Sequence, residues 1–197
     1  MSKHHLTLAT VTLLSLGAAV LGGRLALGAA RPAIAVLQPI AAWSFEDGSL
    51  CDQHGRRCAT PLGGAVADGA AILSSPGDAL RVPDRSAPRL RGKLSVAAWV
   101  SASAGVQPVG ASAAAARHIV TQGGAGGYDL AVEGDRYRFT IQTGPAGAAP
   151  LTVSAVAPPG GWVHVAGVFD GAAARLYLNG RLAAATEAPA GAERLTS

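Results

Sequence analysis

From residue 41 onward the apolar positions recur every second residue in short runs, separated by turn-forming residues, with no sustained 3.6-residue period. Residues 42–45, Ala-Trp-Ser-Phe, make a first short strand that ends at Glu46-Asp47-Gly48. The stretch from there to Gly69 reads as loop, with Pro61 and Gly63-Gly64 inside it. Brief strands follow at 70–73 and 79–82, around the turn Ser75-Pro76-Gly77-Asp78. In residues 94–100 the alternation is clear, with Leu94, Val96, Ala98 and Val100 on one face and Ser95, Ala97 and Trp99 on the other. Residues 102–116 are rich in alanine and glycine, interrupted by Pro108, and are expected as surface loop. Strands are expected again at 118–122, 127–132, 136–143 and 152–155, the middle two joined through Glu133-Gly134-Asp135 in a tight hairpin.

Residues 162–169 carry the most information. Trp162, His164, Ala166 and Val168 share one face, and Val163, Val165 and Phe169 the other. Apolar bulk on both faces predicts a central strand buried on both sides, with His164 in a packing role. Asp170-Gly171 turns the chain, and 175–178 then meets Asn179-Gly180 before 181–185 returns. Asn-Gly between two such runs predicts a hairpin with a type I′ turn, because both residues tolerate positive φ. Many short strands with turns between them and almost no helix specify a single two-sheet sandwich or jelly roll.

Before residue 41 the pattern changes. Lys3, His4 and His5 precede a run from Leu6 to Gly23 without a charged residue, and small residues then lead to Ala33-Ile34-Ala35. A basic head, an apolar run and A-x-A-like sites are the pattern of a cleaved secretory signal. The run is about 18 residues, the short end of what spans a bilayer, so an uncleaved anchor is the competing reading. Thr7, Thr10, Thr12, Ser15 and several glycines weaken it as an anchor. Under either reading residues 1–35 are expected as a helical signal or anchor that sends residues 41–197 out of the cytoplasm.

Composition adds two constraints. Hydrophobic residues make up 49% of the chain but aromatics only 5%, with 26 glycines, so the core must be built largely from small side chains. The net charge is +4, yet the arginines are scattered and no stretch interleaves them with aromatics, which argues against a nucleic-acid partner.

Cys51 and Cys58, the only two cysteines, lie close together after an export signal, so a disulfide between them is expected. In the chain-entropy model so short a loop contributes about 2.5 kcal/mol. A metal site from Cys51, His54 and Cys58 lacks a fourth soft ligand, and the spacing is not that of a C-x-x-C redox pair.

Catalytic patterns are weak. Retaining glycoside hydrolysis needs two carboxyls about 5–5.5 Å apart. The nearest candidates, Glu133 and Asp135, flank a glycine at a hairpin tip and are followed by Arg136-Tyr137-Arg138. No G-x-S-x-G elbow occurs, and Gly123-Gly124-Ala125-Gly126-Gly127 lacks the lysine and helix of a phosphate loop. No catalytic residue is assigned.

Taken in order, seven segments resemble the LamG-like jelly-roll domains of the concanavalin A-like lectin and glucanase superfamily. They are Trp43-Ser44-Phe45-Glu46-Asp47-Gly48, Gly77-Asp78-Ala79-Leu80-Arg81-Val82-Pro83, Leu94-Ser95-Val96-Ala97-Ala98-Trp99-Val100 and Ile119-Val120-Thr121-Gln122-Gly123. Gly127-Tyr128-Asp129-Leu130, the run from Trp162 to Gly171 and Leu176-Tyr177-Leu178-Asn179-Gly180 complete the series. The resemblance implies two stacked antiparallel sheets over residues 41–197 and use as an extracellular module that binds glycans or cell-surface proteins. It implies burial of Trp43, Trp99 and Trp162, which would leave few aromatics for stacking on sugars. It also suggests a structural calcium near the first loop, where Asp47 and Asp52 offer hard oxygen donors; no other cofactor is expected. The late Gly-x-Ile-Asp-Glu-like segment of the family does not occur before Ser197, so either the last strands lie outside this sequence or the domain closes differently. Binding is the expected role, with a glucanase-type hydrolase and a purely structural envelope component as the alternatives.

Overall fold

The computed structural model describes residues 6–14, 39–75, 77–83, 85, 87, 92–102, 116–123, 126–144 and 148–189. Its strands are Leu6–Leu14 (β1), Ala41–Trp43 (β2), Thr60–Leu62 (β3), Ala65–Ala67 (β4), Ala70–Leu73 (β5), Ala79–Arg81 (β6) and Leu94–Ala102 (β7). Arg117–Gln122 (β8), Tyr128–Glu133 (β9), Arg136–Ile141 (β10), Leu151–Val156 (β11), Trp162–Phe169 (β12), Ala173–Leu178 (β13) and Arg181–Glu187 (β14) follow. The described residues contain no helix. The large sheet runs β14-β13-β12-β7-β1-β5-β4, with β2 also paired to β1, and the small sheet runs β11-β10-β9-β8. β3 and β6 form a separate two-stranded ribbon. Every strand pairing is antiparallel, as the jelly-roll expectation requires.

The core lies between the two sheets and follows the alternation of each strand. Leu94, Val96, Ala98 and Val100 of β7 and Val163, Val165 and Phe169 of β12 are buried. They belong to one apolar cluster with Leu130 and Val132 of β9, Tyr137, Phe139 and Ile141 of β10, and Leu151 and Val153 of β11. The small side chains that dominate the composition let the sheets approach closely. At Gly167 in β12 an added Cβ would fall within 3.0 Å of the Phe139 ring, so the glycine makes room for one of the largest fully buried side chains. Fully burying a side chain of that size contributes about 1.5–3 kcal/mol. Asn179 and Gly180 have φ of 51° and 77°, the conformation expected of the β13–β14 hairpin.

The structure departs from the sequence expectations in three places. The described part of the N-terminal apolar run is not helix; residues 6–14 form β1, whose spaced threonines suit a strand and which lies between β7 and the pair β2 and β5. The remainder of that run, and residues 103–115 of the alanine-rich stretch, lie outside the described residues. β3 and β4 fall inside the stretch expected as loop; both are three residues long, too short to show a period. β12 is central in its sheet, as expected, but only one of its faces meets the small sheet. Trp162 on the other face is 44% exposed and Trp99 beside it on β7 is 43% exposed, whereas Trp43 is buried. A strand with neighbours on both edges still offers its second face to water unless another layer covers it.

Gly167→Ala tests this packing. It should lower the unfolding free energy by about 1–3 kcal/mol through overpacking against Phe139. Gly123→Ala, where the added Cβ meets nothing within 4 Å, should change it by less than about 0.5 kcal/mol. Urea melts of the two variants make the comparison.

Candidate binding faces

Because β9 and β10 alternate inward apolar with outward polar residues, the small sheet presents a polar outer face. Asp129 sits at its centre. Its Oδ1 lies 2.6 Å from His118 Nδ1 on β8, and its Oδ2 accepts a 3.3 Å hydrogen bond from Arg138 Nη2 on β10. Arg138 Nη1 lies 2.8 Å from Glu133 Oε2, so the charges form one network across three strands. Further along the face, Arg136 donates to the hydroxyl and carbonyl of Ser154, and the hydroxyls of Thr140 and Thr152 lie 3.2 Å apart.

Next to Asp129 the face deepens into a groove of about 260 Å³, lined among others by Thr121, Gln122, Asp129, Thr140, Gln142 and Pro150. The antiparallel register Thr121↔Asp129↔Thr140 places three of these side by side on adjacent strands. Gln142 is fixed by its Nε2, which donates to Ala148 O at 2.7 Å. Gln122 Oε1 is buried and finds no hydrogen-bond donor among the described residues. The groove therefore offers hydroxyl, amide and carboxylate groups, with Asp129 held by His118 and Arg138.

The outer face of the large sheet has the opposite character. His164 is the register partner of Trp99, and their ring centroids are 5.3 Å apart at an interplanar angle of 59°. Burial holds His164 below its ordinary value, so the ring is neutral at pH 7. Trp162, Trp99 and Leu182 are exposed and Tyr177 is half-buried. The signal for the outward tryptophans was present: Leu94, Val96, Ala98 and Val100 leave no polar residue on the inner face, so Trp99 has to share the outer face with Ser95 and Ser101.

The first loop is closed by the Cys51–Cys58 disulfide, the two cysteines also forming an isolated antiparallel bridge. Asp52 is buried inside it. Its Oδ1 accepts hydrogen bonds from the amides of Arg56 and Arg57 at 2.8 and 3.0 Å, and its Oδ2 pairs with Arg57 Nη1 at 3.0 Å. Asp47 is exposed and caps the turn by accepting from the Ser49 amide at 2.9 Å. Calcium binding through Asp47 and Asp52 would require Arg57 to leave the Asp52 carboxylate. The described residues contain no group of three or more His, Cys, Asp or Glu placed to hold a metal ion. Glu133 and Asp135 flank the β9–β10 turn, with Asp135 exposed and Glu133 held by Arg138.

The family profile described as the concanavalin A-like lectin/glucanases superfamily, Laminin_G_3, matches residues 74–197. No curated protein matches the chain.

Two carboxylates give the domain an acid limit. The Arg175 guanidinium, hydrogen-bonded to Asp170 at the β12–β13 turn, and the Ala172 and Ala173 amides hold that carboxyl at about 2, against a weaker upward push from burial. Burial pushes Asp52 up, but the amides of Arg57 and Arg56 and the Arg57 side chain together outweigh it and leave a net lowering. A lowered folded value means the stabilisation is complete above the unfolded value of 3.8 and is lost as pH falls through the folded one. Urea midpoints should therefore fall between about pH 4 and about pH 2, and Asp170→Asn should flatten part of that decline.

Proposed function

The chain belongs to the concanavalin A-like lectin/glucanase superfamily, and from that premise we propose that it is an exported binding module that holds a hydroxyl-rich ligand, a glycan, in the groove of β8–β11. The family supports a carbohydrate- or protein-binding module in general. The observation that carries the glycan reading is the groove itself, where Thr121, Asp129, Thr140 and Gln142 line one polar depression. A sugar ring presents adjacent hydroxyls, each able to donate and accept, which match the hydroxyl, amide and carboxylate groups lining the groove. A site built for polar groups discriminates strongly, because a ligand lacking them leaves buried atoms unpaired.

Export is supported by the basic head and apolar run before residue 35 and by the Cys51–Cys58 disulfide, which suits an oxidising compartment. Binding is favoured over hydrolysis because Glu133 is engaged by Arg138 and Asp135 lies at an exposed turn. The reading requires no cofactor.

Screening the full chain on a glycan array, followed by titration of the best hit, tests this. Asp129→Ala and Gln142→Ala should each weaken binding by about 10- to 100-fold, the loss of one or more hydrogen bonds to a charged or amide group. Trp99→Ala should leave it unchanged. Sensitivity to Trp99→Ala with indifference to Asp129→Ala would move the ligand to the large sheet, and the absence of any hit would favour a structural role.

A further inference from the structure

The large sheet is continuous only through β1. Without it, β14-β13-β12-β7 and β5-β4 become separate ribbons and β2 loses its only strand partner, each left with an edge of unpaired backbone groups. The register shows how closely the segment suits this slot. Leu8, Val11 and Leu13 stand opposite Val100, Ala98 and Val96, the core-facing positions of β7. Thr7, Thr10 and Thr12 stand opposite Ser101, Trp99 and Ala97, the outward-facing positions. Leu8 and Val11 are three residues apart, which would break a period of two, and the register shift between Leu8 and Thr10 restores the phase. On the other edge, Val11 and Leu13 stand opposite Trp43 and Ala41, and Leu8 opposite Ala71, all buried.

The same residues carry the pattern of an export leader, and a leader that is cut off vacates the centre of the sheet. We propose that the space between β7 and the strands β2 and β5 is a strand-acceptor site. Leu6–Leu14 fills it in cis, and once that segment is cut away the site takes an antiparallel strand from another polypeptide segment with the same alternation of apolar and small polar residues. Backbone hydrogen bonds to both edges supply the affinity, and the inward apolar positions supply the selectivity. This inference is independent of the ligand assigned to the small sheet.

The test uses the full chain with a protease site inserted between residues 35 and 39. After cutting, residues 1–35 should remain with the rest of the chain through size-exclusion chromatography. An excess of a synthetic peptide with the sequence of residues 6–14 should displace them, while the same peptide carrying Val11→Asp should be weaker by on the order of tenfold or more, since it sets a charge in register with the buried Ala98 and Trp43. Release of residues 1–35 on cutting, with melting temperature and β-sheet circular dichroism unchanged, would overturn the proposal, as would equal displacement by both peptides. If the cut protein precipitates, disulfide trapping in the uncut chain decides. Thr12→Cys with Ala97→Cys should cross-link under mild oxidation and Thr12→Cys with Ala98→Cys should not; failure of the first pair, or success of both, refutes the register on which the site rests.

Discussion

The packing of the Phe139 ring against Gly167, which leaves no room for a Cβ between the two sheets, governs the rest of the architecture. A chain with few aromatics and many alanines and glycines removes little apolar area per residue from water, so its layers must pack near one another to leave no voids. Setting Phe139 against a glycine brings Leu94, Val96, Val100, Val163 and Val165 into the same cluster as Leu130, Ile141 and Val153. Because a pleated strand has only two faces, committing these residues inward also commits their neighbours outward. The polar network around Asp129 and the tryptophans of β7 and β12 are where they are for that reason.

The two outer faces then differ in chemistry. On the small sheet the outward positions of β9 and β10 include Asp129, Glu133 and Arg138, which pair across strands, and Arg136 and Thr140, which pair with Ser154 and Thr152 of β11; a groove lies beside Asp129. On the large sheet the corresponding positions are Trp99, Trp162, His164 and Tyr177, with a neutral imidazole against the Trp99 indole. A hydroxyl-rich ligand is served by the first face, where several donors and acceptors converge, and much less by the second, which offers apolar area and little polarity.

Much of the fold was legible in the sequence. The strands at 70–73, 94–100 and 162–169 and the Asn179-Gly180 hairpin follow from period-two alternation and turn chemistry, and the seven ordered segments identify the superfamily. The Cys51–Cys58 loop closure was also readable from the cysteine count and spacing. What escaped has physical causes. β3 and β4 are too short to display a period, and the uncharged run at residues 6–14, with its spaced threonines, suits both a leader and a central strand. Burial of Trp99 and Trp162 was expected from the family resemblance, although Ser95 and Ser101, which share the face of Trp99, pointed outward. The groove could not be foreseen at all: Thr121, Asp129, Thr140 and Gln142 meet only through strand register, which no local pattern encodes.

The face assignment of β7 and β12 is tested most directly by acrylamide quenching of fluorescence in three variants that each retain one tryptophan, with the other two replaced by phenylalanine. Trp99 and Trp162 should each be readily quenched with red-shifted emission, and Trp43 should be blue-shifted and protected. Protection of Trp99 and Trp162 with ready quenching of Trp43 would invert the sheets and contradict the account.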